Sequence, residues 1–173
     1  VLSRNAADFI LSAPQDRPFA VWCSLGGPHP PILVPEPYYS MFRSDEMQPP
    51  ASFGEDAAGL PRSVWDGPGA QSVRDWTWER WAVAAAAYRG FVAFTDACFG
   101  VVLDALSASG RAGETVVVAT CDHGEMLGAH NIYQKGVLYD ESVHLPFVLV
   151  APDIHPGRRE QLASQVDLAP TLL

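Results

Sequence analysis

The 173-residue sequence is long enough for one domain with a hydrophobic core, and its 48% content of hydrophobic residues excludes a disordered chain. The 11 Lys and Arg residues against 20 Asp and Glu residues give a net charge of −9, which argues against nucleic acid or an anionic membrane as a partner. An anionic substrate stays compatible with this charge, because a bound cation can reverse the local field.

The first half of the chain predicts one helix, one strand and two long connections. Residues 5–13 fit a short helix, and the apolar run 18–25 fits a buried strand. The prolines of residues 26–42 forbid regular structure and predict an ordered, extended loop. Residues 44–74 are rich in Pro, Gly, Ser and charge, so we predict a surface excursion there.

The second half predicts a long helix followed by two strands. Apolar residues repeat at three and four positions from residue 76 to about 106, and the sequence SGRAG ends this helix. Apolar, β-branched runs at 115–120 and 145–152 predict buried strands. Such strands separated by helices are typical of an α/β fold, so we predict a mostly parallel sheet flanked by helices. The chain has no run of 18 apolar residues, which predicts no membrane span.

The polar residues that follow the strand 115–120 are candidate cation ligands. Asp122 offers a hard oxygen and His123 an imidazole nitrogen, at the sheet edge where α/β folds bind ligands. Such donors suit Ca²⁺, Mg²⁺, Mn²⁺ or Zn²⁺, and Gly124 permits a sharp turn or a close approach. Two ligands are too few for a complete cation site. The same two residues fit equally well a structural role, in which the aspartate caps a helix and the histidine is an ordinary polar neighbour.

Two further candidates lie in loops. His29 stands between prolines that fix its backbone, which suits a general acid or an anion contact. Lys135 lies among apolar and aromatic neighbours and could neutralise an anionic group. Each of the two also fits an ordinary loop residue, a packed histidine or a solvated charge, and His130 is interpreted as structural.

Other residues of these chemical types are assigned structural places. Three acidic residues are interpreted as helix-terminus or ion-pair residues without a catalytic role: Glu125, Asp140 and Glu141. Four aromatic residues are predicted to belong to the core rather than to a ligand platform: Trp76, Trp78, Trp81 and Tyr88. The three cysteines lack a C-x-x-C spacing, which predicts buried free thiols: Cys23, Cys98 and Cys121.

Several segments together resemble the sulfatase family, within the alkaline phosphatase superfamily. The stretch TCDHGEMLGAHNIYQKGVLYDESVHLPFVLVAP (120–152) is similar to the family's T-x-D-H-G-E-x-L-G-x-H…K motif and to the Y-[DE]-E-S-x-x-x-P strand after it. Residues 18–38 resemble the family's strand and PH-x-P loop. Residues 88–106 and 166–173 resemble the helix before the metal strand and the segment after it.

This resemblance implies an alkaline phosphatase-like α/β fold and a role for each of four residues. Asp122 and His123 would be two ligands of a divalent cation, which is usually Ca²⁺ in sulfatases. Lys135 would contact sulfate or phosphoryl oxygens, and His29 would contact the same group or help to protonate the leaving oxygen. Many sulfatases carry Asn where this chain has His123, whereas the Asp-His pair also occurs in phosphonate monoester hydrolases and choline sulfatases.

The sequence departs from the family pattern at two places. His144 stands where family members usually carry Arg, so a local ion pair is expected to be missing. No Cys or Ser fits the C-x-P-x-R or S-x-P-x-R motif whose first residue becomes formylglycine, and the paired aspartate ligands are missing as well. We therefore expect residues 1–173 to be the middle portion of one catalytic domain, with its nucleophile encoded upstream and no turnover by this fragment alone.

Three functions remain as expectations. The first is metal-dependent hydrolysis of a small-molecule or carbohydrate sulfate ester, completed by the N-terminal remainder of the same polypeptide. The second is hydrolysis of phosphonate or phosphate mono- or diesters by the same fold. The third is a non-catalytic fragment that binds a metal or a protein partner.

Overall fold

The computed structural model describes residues 1–56 and 61–173, and residues 57–60 of the predicted surface excursion lie outside the described residues. The helices are α1 (Leu2–Ser12), α2 (Arg62–Trp65), α3 (Pro68–Gln71), α4 (Trp78–Ala108), α5 (Asp140–Val143) and α6 (Leu168–Leu172). The strands are β1 (Val117–Thr120) and β2 (Phe147–Val150). Turns of 3₁₀ helix lie at Ser44–Glu46, Ala112–Glu114, Ala129–Asn131 and Gln165–Asp167.

Helix α4 confirms the long helix that the three-and-four spacing predicts. It ends at Ala108 and is followed by Ser109 and Gly110; the φ of Gly110 is +77°, a conformation that glycine adopts without strain. Helix α1 packs against α4 and buries its small residues Ala6 and Ala7 together with Ile10. Helix α1 therefore begins three residues before, and ends one residue before, the predicted bounds 5–13.

Helix α4 is also long and apolar enough to cross a bilayer, by length and composition alone. An 18-residue window within it has a mean hydropathy of 1.6. The prediction of no span required an uninterrupted apolar run, whereas such a window tolerates two charged residues. A single helix of this kind is weak evidence for a span, and α4 packs against α1 and buries Trp81.

Strands β1 and β2 pair antiparallel, with Val117 opposite Val150 and Thr120 opposite Phe147. The predicted mostly parallel sheet is therefore not what the described residues form. A parallel pair needs a crossover that returns the chain to the same end of the sheet, usually through a helix. The connection 121–146 contains only the four-residue α5 and one 3₁₀ turn, so the chain enters β2 from the end at which it left β1.

The predicted strand at 18–25 is wrong for the described residues, in which this segment has no ladder partner. Apolar runs predict burial, but a strand exists only where a second strand receives its hydrogen bonds. The prediction of full burial is also wrong for β2, where Val148 and Val150 are 55% and 57% exposed. The three cysteines are free, as predicted, but they are half-buried rather than buried.

Two apolar clusters support the loops that follow β1, and one of them packs on α4. In one cluster, Met47 contacts the alanines of α4, namely Ala82, Ala85 and Ala86. In the other, Ala70 of α3 packs against Met126, Ala129 and Ile132. Trp81 is only 1% exposed, which confirms its place in the core, whereas the other three aromatic residues of the predicted core group are half-buried.

Candidate functional site

The structure brings the four predicted site residues together. The Nζ of Lys135 lies 2.7 Å from Nε2 of His29, although 106 positions separate the two residues. The ring of His29 stands edge-on to the ring of His123, with 5.9 Å between centroids. Asp122 precedes His123 directly, and its Oδ2 lies 3.7 Å from Nε2 of that histidine. The loop of His29 and the connection between the two strands therefore meet at one place.

The loop that carries His29 rests directly on α4 at both of its ends. A Cβ added at Gly27 would lie 2.5 Å from Oγ1 of Thr95, a distance that real Cβ atoms do not reach. A Cβ at Gly90 would lie 2.2 Å from the carbonyl oxygen of Tyr38. Gly90 thus allows the backbone of α4 to approach this proline-rich loop closely.

Hydrogen bonds define which nitrogen of His29 is free to accept. Nδ1 lies 2.6 Å from the carbonyl oxygen of Pro30, and because a carbonyl can only accept, Nδ1 carries the hydrogen. In the neutral imidazole Nε2 is then the acceptor, and it receives a hydrogen bond from the Lys135 ammonium. A positive charge and an oriented imidazole lie side by side, which is suitable for contacting an anion.

Asp122 and His123 present two donor atoms just beyond the end of β1. The Nδ1 of His123 lies 2.9 Å from the carbonyl oxygen of Gly124, so the lone pair of the neutral ring is on Nε2. The Asp122 side chain is 87% exposed, and its Oδ1 accepts the backbone N–H of His123 at 3.1 Å. An oxygen and a nitrogen placed in this way suit one cation as a partial donor set. Among the described residues no group of three or more His, Cys, Asp or Glu side chains forms a complete set.

Gly124 fastens this donor pair to α5. Its backbone N–H donates to the carbonyl oxygen of Ser142 at 2.8 Å. A Cβ at this position would lie 2.0 Å from the carbonyl oxygen of Glu141. The predicted close approach at Gly124 is therefore an approach to the α5 backbone, which only glycine permits.

Lys135 is delivered by a closed loop, residues 125–134, which we call the lysine loop. Its base is closed by the backbone N–H of Met126, which donates to the carbonyl oxygen of Gln134 at 2.8 Å. The Glu125 carboxylate accepts the backbone N–H groups of Leu127 and Gln134 at 3.2 and 2.6 Å. The assignment of Glu125 to a helix terminus or an ion pair is thus wrong, because its partners are backbone amides of this loop.

The tip of the lysine loop is fastened to residues 52–55. The Nδ1 of His130 lies 2.8 Å from Oε2 of Glu55, and the His130 ring stacks on Tyr139 with 3.8 Å between centroids. The side chain of Asn131 accepts the backbone N–H of Gly54 at 2.9 Å. These contacts agree with the structural interpretation of His130.

A cavity of about 430 Å³ opens beside the cation donors and the lysine. Its lining includes the polar side chains of Asp122, His123 and Lys135 and the apolar side chains of Leu145 and Phe147. A bound group in this cavity could therefore contact the cation donors and the ammonium together.

Burial raises the pKa of the Cys121 thiol, and the charge of Asp122 raises it further. A raised pKa disfavours the thiolate that a nucleophilic cysteine requires. Burial also raises the pKa of Tyr88 to about 12, with smaller contributions from Glu125 and Cys121. The raised pKa of Tyr133 has the same first cause, and the charge of Glu125 adds to it.

Comparison with known proteins connects this arrangement to one enzyme family. The sulfatase family model matches residues 1–173. The chain is 29% identical to an arylsulfatase of Clostridium perfringens (strain 13 / Type A) over 175 residues, and this alignment covers 98% of this chain and 36% of that protein. It is 30% identical to the sulfatase YidJ of Escherichia coli (strain K12) over 179 residues, and this alignment covers 99% of this chain and 34% of that protein.

Solved structures are similar as well. The phosphonate monoester hydrolase of Agrobacterium radiobacter superposes with a TM-score of 0.69 at 30% identity, over 85% of this chain and 32% of that chain. The phosphonate monoester hydrolase of Silicibacter pomeroyi superposes with a TM-score of 0.66 at 30% identity, over 75% of this chain and 28% of that chain. The chain spans about a third of the length of the curated relatives it matches.

Proposed function

This chain belongs to the sulfatase family, and from that premise we propose that the protein of which it forms part is a cation-dependent hydrolase of sulfuric esters. The observation that carries the proposal is the meeting of a cation-donor pair, Asp122 and His123, with the Lys135–His29 contact. An ester anion placed here would have positive charge on two sides. Charge stabilisation of this kind is a major source of rate acceleration in group transfer.

Each of the four residues has a proposed task. Asp122 and His123 would hold a divalent cation, with further ligands supplied from outside this chain. Lys135 donates to the nonbridging oxygens of the ester, and this releases Nε2 of His29 from its present hydrogen bond. Nε2 of His29, once free, takes up a proton from solvent, and the resulting imidazolium contacts the same group or gives that proton to the leaving oxygen. The cation, Ca²⁺ first and Mn²⁺, Mg²⁺ or Zn²⁺ as alternatives, would neutralise charge on the ester and orient the nucleophile.

The nucleophile is proposed to be a formylglycine encoded upstream of this chain. The raised pKa of Cys121 beside the donor pair disfavours its thiolate, and none of the three cysteines lies in the expected motif. The substrate is proposed to be a small-molecule or carbohydrate sulfate ester. Residues 1–173 alone are proposed to be inactive, since the N-terminal remainder of the polypeptide would complete the site.

Hydrolysis of phosphonate or phosphate esters is the second candidate. It is supported by the likeness to two phosphonate monoester hydrolases and by the histidine at position 123 of the donor pair, where many sulfatases carry asparagine. The two functions share one site and differ in the group that is cleaved. Turnover of p-nitrophenyl sulfate and of phenyl p-nitrophenyl phosphonate by the complete enzyme distinguishes them, and we expect the higher kcat/KM for the sulfate.

Variants of the complete enzyme test the proposed roles. Lys135→Ala is expected to lower kcat/KM by about 10²- to 10³-fold, because the variant lacks the preorganised positive charge that contacts the reacting ester group. Arg17→Ala also removes one positive charge, but from an exposed pair with Asp16, and is expected to keep full activity. His123→Ala is expected to weaken Ca²⁺ binding in calorimetry. Full turnover by Lys135→Ala would refute the proposal, and cation binding without hydrolysis of either ester would favour a non-catalytic protein.

A further inference from the structure

The Glu125 carboxylate controls the backbone immediately before Lys135. Its Oε1 accepts the N–H of Gln134 at 2.6 Å, and the carbonyl oxygen of Gln134 accepts the N–H of Met126 at 2.8 Å. The N–H and the carbonyl group of Gln134, the residue before Lys135, are therefore both hydrogen-bonded, the first to Glu125 and the second to Met126. The direction in which Lys135 leaves the loop follows from these bonds.

The same carboxylate holds two residues in an unfavourable backbone conformation. Leu127 and Gln134, whose N–H groups it accepts, have φ angles of +42° and +69°. This left-handed region is uncommon for residues other than glycine, and such a conformation persists only where surrounding contacts impose it. Hydrogen bonds to a charged carboxylate are among the stronger ones, so Glu125 is placed to impose it.

Glu125 also connects the lysine to the cation donors. It follows Asp122, His123 and Gly124 directly, and the hydrogen bond of Gly124 to Ser142 fastens that segment to α5. The chain between the donor pair and Glu125 is thus short and fixed. The carboxylate then reaches across the base of the lysine loop to Gln134.

We infer that Glu125 is a positioning residue that sets the separation between the cation donors and the Lys135 ammonium. The inference rests on the proposed function, in which both act on one ester group. Without the carboxylate, Gln134 is free to leave its left-handed conformation, and this turns Lys135 away from His29. Glu125 itself contacts no reacting atom and acts through the lysine.

A double-mutant cycle in the complete enzyme tests this coupling, with p-nitrophenyl sulfate as the probe. Glu125→Ala is expected to lower kcat/KM by about 10²-fold, the effect of an ångström-scale displacement of a catalytic group. In the Lys135→Ala background the same substitution is expected to have no further effect. Losses that multiply would overturn the inference while leaving the proposed function intact. Full activity of Lys135→Ala would overturn both.

Two further variants separate positioning from stability. Glu125→Gln keeps an acceptor oxygen but removes the charge, so it is expected to lower kcat/KM by no more than about tenfold, and it carries the same cycle if Glu125→Ala does not fold. Glu55→Gln weakens the hydrogen bond to His130 at the loop tip and leaves the base intact. It is expected to lower Tm and to keep kcat/KM. If Glu55→Gln reduced kcat/KM as much as Glu125→Ala did, Glu125 would only stabilise the loop, and the inference would be wrong.

Discussion

The substitution Gly124→Ala offers a sharp test of how the cation donors are held. The Cβ it introduces would lie 2.0 Å from the carbonyl oxygen of Glu141, where real Cβ atoms stay at 3.0 Å or beyond. The two backbones must therefore separate by about 1 Å. The atom in the way belongs to the backbone of α5, so no side-chain rotation can relieve the clash.

This displacement has two consequences of known size. Forcing an extra carbon into a closely packed contact costs typically about 1–3 kcal/mol of unfolding free energy. The hydrogen bond from the N–H of Gly124 to Ser142, 2.8 Å long, lengthens at the same time. Asp122 and His123 move with the backbone, and a misplacement of about 1 Å reduces a catalysed rate by about 10²-fold.

Urea unfolding and turnover of p-nitrophenyl sulfate by the complete enzyme measure both effects. Gly100→Ala is the matched control, because it adds the same methyl group within α4 at a position where nothing lies within 4 Å. The control is expected to raise the unfolding free energy by about 0.5–1 kcal/mol, since alanine stabilises a helix more than glycine does. Gly124→Ala with unchanged stability and turnover would refute the account of how the donor pair is placed.

Three other predictions concern the core, the alkaline limit and the cation. Trp81→Ala removes a fully buried side chain and is expected to lower the unfolding free energy by about 3–5 kcal/mol in urea titrations; a smaller loss than that of the exposed control Trp22→Ala would contradict it. The pKa of Tyr88 rises from 10.0 to about 12 on folding, so between these pH values the unfolded state binds fewer protons and stability falls as pH rises. We expect that fall to be at most about 2 kcal/mol after solvent screening and to diminish in Tyr88→Phe, with an equal fall in both proteins arguing against Tyr88 as its source. A chelator is expected to lower the Tm of the complete enzyme in calorimetry, and Asp122→Asn is expected to remove that difference; a chelator effect of full size in the variant would exclude Asp122 as a ligand.

Local periodicity predicted the elements whose stability is local. Helix α4 could be predicted because the three-and-four repeat of apolar residues directly describes the faces of a helix. The positions of β1 and β2 could be predicted from their apolar, β-branched runs, but the direction of their pairing could not. Pairing depends on the path of the connection 121–146, which contains too little helix for a crossover. The segment 18–25 has the composition of a strand, but composition does not specify a partner.

The candidate site shows the same division between residue type and geometry. Asp122, His123 and Lys135 could be selected because their side chains carry the chemistry and because the motif resembles that of a known family. Glu125 could not be assigned in this way, because its role depends on which backbone amides fold back towards it. The motif does contain an acidic residue at this position, next to the donor pair, but an acidic residue there fits many structural roles.

Close contacts at glycine residues explain how two loops from distant parts of the chain reach one site. The loop of His29 lies on α4 through Gly27 and Gly90. The lysine loop meets the same helix at Gly128, where an added Cβ would lie 3.1 Å from the ring of Trp81. Trp81 and Gly90 are nine residues apart on α4, a separation of roughly 14 Å along the axis at the usual helical rise. One rigid helix therefore determines the relative position of the two loops. Because glycine allows these approaches without a side chain between the surfaces, small changes at these contacts would be transmitted directly to the Lys135–His29 contact.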